Sequence, residues 1–238
     1  MESVRQMRGL PETPVPAIGI LEFDGDLTDW LVSQGIATRF TPWACFHTSM
    51  YTVDCDGVRV GIIARTIGGS YSVLVAEQLH AAGAQLIVGL TSAGRIAPDL
   101  PLPCLVIATG AIRDEGTSFH YLPPAAEVAC PTRINSHLEH ELPATGWAVR
   151  AGRVWTTDAP YRETGEEIRR WAAAGVLAVE MQAASLFAFA TARRVKVAVV
   201  AMVSNAVDHE GDQFNTGTEF EGLGILNGIA RAGAAFLG

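Results

Sequence analysis

Short apolar runs and segments of helical period alternate along most of the chain. Ala17 to Leu21 is an apolar run that ends in the acidic, glycine-containing stretch Glu22 to Asp26. That pattern predicts a buried strand and a loop at its carboxyl end, followed by a helix over Thr28 to Gln34. Tyr51 to Cys55 and Val58 to Ile63 flank Asp56-Gly57, a hairpin signal. Ile67-Gly68-Gly69-Ser70 precedes a helical segment with Tyr71, Leu74, Val75, Leu79 and Ala82 on one face, ended by Gly83. Leu86 to Gly89 predicts a strand running out into Leu90 to Gly94, and Cys104 to Ala108 predicts another after a proline-rich turn. A long polar segment from Arg113 to Ser118 follows.

The second half keeps this rhythm. Thr164 and Glu167 are spaced as a capping box that opens a helix through Ile168 and Trp171, closed by Gly175. Val176 to Val179 predicts a strand leading into Glu180-Met181-Gln182, then an alanine-rich helix to about Arg194. Lys196 to Val203 is apolar on both faces, as a central strand requires. Thr218 and Glu221 form a second capping-box pattern, opening a last helix with Phe220, Leu223, Ile229 and Phe236 inward.

Strands alternating with helices predict an α/β protein whose sheet is covered on both faces. Residues 1–16 carry Pro11, Pro14 and Pro16 and are read as an N-terminal arm, with a single domain over 17–238. In such sheets ligands collect beyond the carboxyl ends of the strands. This selects Asp24-Gly25-Asp26, Thr91-Ser92-Ala93-Gly94, Glu180-Met181-Gln182 and Ser204-Asn205 for inspection.

Composition removes several function classes. The formal net charge of −8, with no stripe of Lys and Arg, argues against nucleic acid as a partner. No run of about 18 apolar residues is present to span a bilayer, and the start lacks the apolar core of a secretory signal, so a cytoplasmic protein without a membrane partner is expected. Four scattered cysteines form no CxxC pair, which leaves a zinc ribbon or disulfide scaffold unsupported. His120, His137 and His140 lack a third partner at ligand spacing, so no metal is expected. Lys196 is the only lysine and no GxxxxGK[ST] or GxGxxG occurs, so a P-loop is excluded. The hydroxyl and glycine residues Thr91 to Gly94 suit an anion or a polar ring, though an ordinary strand-to-loop turn uses the same types. Glu180 with Gln182 suits the vicinal hydroxyls of a sugar, and equally the cap of a helix N-terminus.

Taken together, four segments carry a resemblance. Ala178 to Ala190, reading AVEMQAASLFAFA, closely resembles the VEMEAAALY-type signature of the nucleoside phosphorylase and nucleosidase superfamily. Ile67 to Ser70 with its helix resembles the glycine turn of that family. Gly110 to Pro123 resembles a segment of uridine-phosphorylase-like members, and Thr156 to Thr164 resembles the strand and loop beside the base. The resemblance spans roughly residues 17–236. It implies a three-layer α/β/α fold with a mixed, partly barrel-like central sheet, assembled as a homo-oligomer from dimer up to hexamer. It also implies cleavage of the N-glycosidic bond of a small-molecule nucleoside, with no cofactor and with phosphate as a possible co-substrate. By matching position, Glu180, Met181 and Gln182 would line the ribose. Ala93, Gly94, Pro160 and Asn205 would lie along the base, with Asn205 and Asp208 as the catalytic positions. Gly25, Asp26, Thr91 and Ser92 would meet phosphate or water.

The departures sharpen the expectation. Phosphorolytic members carry a GDPxR-like turn where this chain has Asp24-Gly25-Asp26-Leu27-Thr28, and an arginine where it has Ile87; a third, from a neighbouring subunit, has Arg39 as its nearest counterpart. Losing guanidinium groups removes bidentate oxyanion binding, so a weak or absent phosphate requirement is expected. Gln182 replaces the family's second glutamate, and Asn205 replaces the proton-donating aspartate, which favours an oxo-substituted base over adenine. A phosphorylase, a hydrolase with Asp24 or Asp26 orienting water, and a silent nucleoside-binding protein all remain compatible with these residues.

Overall fold

The structure, a computed structural model, describes residues 2–206 and 219–238. The arm contains a short helix α1 (Glu2–Arg8), whose Arg8 donates to the Cys45 carbonyl at 2.9 Å and lies over the Phe46 ring. Strand β1 (Ile18–Glu22) leads into α2 (Asp26–Ser33). The edge strand β2 (Thr38–Arg39) and the hairpin β3 (Tyr51–Cys55) and β4 (Val58–Ile63) follow. Then come α3 (Gly69–Ala81), β5 (Leu86–Arg95), β6 (Cys104–Asp114), the short β7 (Glu127–Ala129) and α4 (Asn135–Glu141). The remainder is β8 (Ala148–Thr157), α5 (Gly165–Ala173), β9 (Val176–Glu180), α6 (Ala183–Arg193), β10 (Lys196–Ala206) and α7 (Glu219–Leu237).

Among the described residues the strands form one mixed sheet in the order β10-β6-β8-β9-β5-β1-β4-β3-β2, with β7 on β6. A further pairing of β10 with β5 closes β5, β10, β6, β8 and β9 into a five-stranded ring, the barrel-like part of the sheet. β10 runs parallel to β5 and antiparallel to β6, which accounts for its apolar residues on both faces. Helices α3 and α6 pack on one face through Val75, Leu79, Phe187 and Phe189. Helices α2, α4 and α7 cover the other through Leu31, Leu138, Ile225 and Ile229. The three layers expected from the sequence are therefore present, and no described helix is long and apolar enough to cross a membrane.

Several boundaries differ from the sequence reading. β5 continues through Arg95 rather than ending at Gly89, because β10 pairs it on one side as far as Arg95 and β9 pairs Gly94 and Arg95 on the other. Pairing with β10 holds Thr91 to Gly94 extended, with β9 joining on the other side at Gly94, although their composition resembles a loop. β6 likewise runs on to Asp114, held by β7 and β8. Helix α2 begins at Asp26, two residues early, because the Glu22 side chain supplies its cap. Leu74, expected to face the core, is 46% exposed; Val73 and Ala76 take the inward positions of α3 instead. The capping box at Thr164 and Glu167 forms as read, with both reciprocal hydrogen bonds. Thr218 of the second box and the Phe220 side chain lie outside the described residues, while Ile229 is buried in the α7 face.

Candidate active site

The carboxyl end of β5 is the hinge of the site. Ala93 pairs with Val203 of β10, and Gly94 pairs with Asn205 on one side and with Val179 of β9 on the other. Between Val203 and Asn205 the register shifts, leaving Ser204 as a bulge residue. Such bulges re-aim side chains and collect beside active sites. The barrel closure thus brings together Ala93-Gly94, Asn205 by its backbone, and the start of the Glu180 turn, three segments far apart in sequence. Pro160 opens a single 3-10 turn (Pro160–Arg162) after β8, two strands away around the ring. That turn follows Asp158, whose Oδ2 accepts from the Gly116 N–H at 2.8 Å. Asp208 lies outside the described residues.

At the end of β9 the chain turns sharply into α6, and both polar side chains of that turn are engaged inside the protein. Glu180 is 3% exposed; its Oε2 accepts from the backbone N–H groups of Gln182 at 2.6 Å and Ala183 at 2.9 Å, and its Oε1 accepts from the Thr156 hydroxyl. The Thr156 hydroxyl in turn accepts from the Ala184 N–H at 2.9 Å. Burial raises the Glu180 acid to about 7, against the opposing pull of the Thr156 hydroxyl and the two helix N–H groups. Gln182 is fully buried, and its Nε2 donates to the Thr66 carbonyl. Its Oε1 has no partner and faces the open side of Gly89, 3.3 Å from where a Cβ would stand. Met181 is the partly exposed member of the turn.

The other half of the site is the end of β1. Glu22, also buried, accepts at Oε1 from the Leu27 N–H (2.9 Å) and at Oε2 from the Thr28 N–H (3.1 Å) and the Thr28 hydroxyl. Helix α2 therefore has its first N–H groups satisfied from within the chain. Desolvation raises the Glu22 acid above the usual carboxylate range. Asp24 accepts from the Ser92 hydroxyl at 3.2 Å, which ties the β1 loop to β5; burial raises this acid too, and Asp26 adds to the rise. Thr91 is fully buried, its hydroxyl donating to the Ser92 carbonyl at 3.1 Å. Gly25 has a φ of 101°, and a Cβ there would come within 2.8 Å of Arg65 Cγ. The Arg65 guanidinium pairs with Asp29, and its own φ is 59°. Asp26 is exposed at the first turn of α2. Arg39 lies exposed on the edge strand β2.

Thr66 joins the two halves. Its N–H and hydroxyl both donate to the Glu22 carbonyl at 3.0 Å, while its own carbonyl accepts from Gln182. Sequence reasoning missed Thr66, Thr156 and Glu22 as parts of the site. Glu22 alone left a signal, an acid at the last position of an apolar strand five residues before the first capped N–H. Also missed was Glu115, 6% exposed, which accepts from the Ser118 N–H at 2.9 Å and from the Ser185 hydroxyl of α6. Among the described residues no group of three His, Cys, Asp or Glu side chains could hold a metal ion.

Comparison with known proteins bears on the family and the fold. Residues 17–228 match the family model described as Phosphorylase superfamily. The chain is 30% identical over 186 residues to a uridine phosphorylase of Treponema pallidum, covering 72% of each protein. It is 27% identical to a guanosine phosphorylase of Halorubrum lacusprofundi, covering 62% of this chain and 61% of that one. A DeoD-type purine nucleoside phosphorylase of Exiguobacterium sibiricum is 26% identical, with 65% and 67% covered. In fold, the chain superposes on a crystal structure of uridine phosphorylase from Vibrio fischeri with a TM-score of 0.73 at 20% identity, over 95% of this chain and 91% of that one. With residues 17–228, most of its length, matched by the family model, the chain belongs to the phosphorylase superfamily.

Proposed function

We propose that this enzyme cleaves the N-glycosidic bond of a nucleoside and releases the free base. The observation that carries the reading is the double pairing of Gly94, which sets the glycine end of β5 between the Glu180 turn and Asn205. A nucleoside seated there has its sugar against Glu180, Met181 and Gln182, with Met181 the partly exposed contact, and its base along Ala93, Gly94, Pro160 and Asn205. Asn205 carries an amide that reads a ring carbonyl, and Asp208 supplies the carboxyl group for proton transfer to the departing base. Bond lengthening leaves an oxocarbenium-like sugar, and the protein acts by positioning the attacking group on its other face. The site needs no cofactor. The same reading places the reaction in the cytoplasm and in a homo-oligomer. Its test is base release from a panel of purine and pyrimidine nucleosides, followed by chromatography. Release from at least one oxo-substituted nucleoside is expected; binding without release from any would assign a silent binding protein.

The attacking group is the second part of the proposal. Of the positions expected to meet phosphate, Ser92 donates to Asp24 and Thr91 is buried, and just after Gly25 and Asp26 the Leu27 and Thr28 N–H groups are taken by Glu22. Asp29, Glu22 and Asp26 surround the remaining Arg65. A dianion in this setting meets more carboxylate than guanidinium. Phosphate is accordingly a weak co-substrate. The Asp24 and Ser92 contact favours a second reading, in which Asp24 orients water for hydrolysis.

A further inference from the structure

We infer that the ion pair between Asp29 and Arg65 sets the co-substrate of this site: Arg65 is the cation placed to meet phosphate at Gly25, and Asp29 neutralises it. The inference rests on the proposed placement of the attacking phosphate or water at Gly25. Arg65 stands in the segment between β4 and α3, and its guanidinium reaches back over the loop that follows β1. Its Cζ and Nη1 lie 3.1 and 3.2 Å from the place that a Cβ on Gly25 would take. Gly25, with a φ of 101° and no side chain, leaves room for that approach.

Two features fix the arginine there. Its backbone holds a φ of 59°, in the left-handed region, and the next residue, Thr66, is locked to the Glu22 carbonyl by both its N–H and its hydroxyl at 3.0 Å. Strained backbone of this kind persists where its surroundings over-determine it, and it clusters at functional sites. The guanidinium is bound to Asp29 through Nη2, while Nε and Nη1 have no partner among the described residues. Nη1 is thus a donor beside Gly25 whose charge is cancelled from the other side. Asp29 stands one turn into α2, and its own N–H donates to the Gly25 carbonyl at 3.0 Å. One short segment therefore supplies both the space for the arginine and the acid that neutralises it. The two side chains are 55% and 59% exposed, so little folding stability rests on the pair. With Asp29 made neutral, Arg65 has a charge-assisted hydrogen bond to offer a dianion. Glu22 and Asp26 still act on it, which keeps the expected gain to about one such bond.

The experiment measures the affinity for inorganic phosphate by calorimetry in the wild type, Asp29→Asn, Arg65→Gln and the double variant. Asp29→Asn should bind phosphate about tenfold more tightly than the wild type or better, or show saturable binding where the wild type shows none. In the double variant that gain should disappear. A gain that survives without the arginine would mean that removing a negative charge suffices, and it overturns the role given to Arg65. An affinity unchanged in Asp29→Asn overturns the inference outright. Circular dichroism checks that each variant is folded, and Asp29→Ser serves if the asparagine variant is not. A second readout follows the sugar product. In phosphorolysis a phosphate oxygen bonds the anomeric carbon as the bond to the base nitrogen breaks, and the base leaves with the bonding pair and takes up a proton; in hydrolysis a water oxygen takes the place of phosphate. At one phosphate concentration the share of sugar 1-phosphate should rise in Asp29→Asn and fall back in the double variant. Shifted phosphate affinities with no base release from any nucleoside would defeat the proposed cleavage while upholding the anion site.

Discussion

Glu180 carries its proton because of where it sits. In the unfolded chain its carboxyl group titrates in the ordinary range, while in the folded protein burial raises it to about 7. The folded state thus holds a proton that the unfolded state has released over this interval, and stability falls as pH rises from about 4.5 to about 7. Below that window the contribution is fully present; above it, a buried carboxylate must be held charged. The difference is on the order of 3 kcal/mol if Glu180 acts alone. In Glu180→Gln, whose amide oxygen still caps Gln182 and Ala183, this part of the slope should vanish. Denaturant unfolding at pH 5 and pH 7.5 checks it: the wild type should lose more stability between the two than the variant. Glu163, half-buried beside Glu167 and likewise raised to about 7, contributes equally to both proteins and cancels in the comparison. At this scale the sequence was informative about residue types and silent about engagement. Glu180 and Gln182 read equally as sugar ligands or as structural groups, since the partners that decide, Thr156 and Thr66, lie 24 and 116 residues away.

Helices α3 and α6 meet at a contact that only glycine permits. A Cβ on Gly69 would stand 2.9 Å from Ser185 Cβ and overlap the Ser185 hydroxyl, which is itself held by Glu115. Gly69→Ala should destabilise the protein by about 1–3 kcal/mol through overpacking. Ser185→Gly in the same chain should recover part of that loss, the lost hydrogen bond to Glu115 limiting the rescue. Thermal melts of the single and double variants measure both, and a neutral Gly69→Ala would contradict the close approach of the two helices. The glycine turn at 67–70 was legible from composition; its reason, the approach of a helix more than a hundred residues later, was not. The same distinction explains β5. Its apolar core Leu86 to Gly89 was plain from the pattern, whereas Thr91 to Gly94 look like loop and remain strand because β10 pairs them throughout and β9 pairs Gly94. α2 shows the reverse, since its early start follows from the nearby acid Glu22, a local relation that a closer reading of capping partners detects.

For the molecule as a whole, the alternation of periods was enough to place helices on both faces of one sheet, and the four motif segments to place the chain in its family. Closure of the sheet into a ring depends on the β10 to β5 pairing, which no local pattern encodes. Surface composition supports an assembly: Ile67 and Leu74 at and before α3, with Phe46 and Phe119, are exposed at 52%, 46%, 57% and 44%. We expect at least a dimer by light scattering at micromolar concentration, and a monomer would contradict this. The central claim is that the chain cleaves a glycosidic bond at a site whose anion-binding half is filled by its own carboxylates. Two lost charge-assisted hydrogen bonds, at about 1.5–3 kcal/mol each, weaken phosphate by roughly two to four orders of magnitude. The most direct measurement follows base release after phosphate is removed enzymatically and then titrated back, with the sugar product identified as the free pentose or its 1-phosphate. The account predicts release that persists without phosphate, or that saturates only at concentrations far above those of an arginine-bearing relative. Tight, saturable dependence yielding only the sugar 1-phosphate would contradict it.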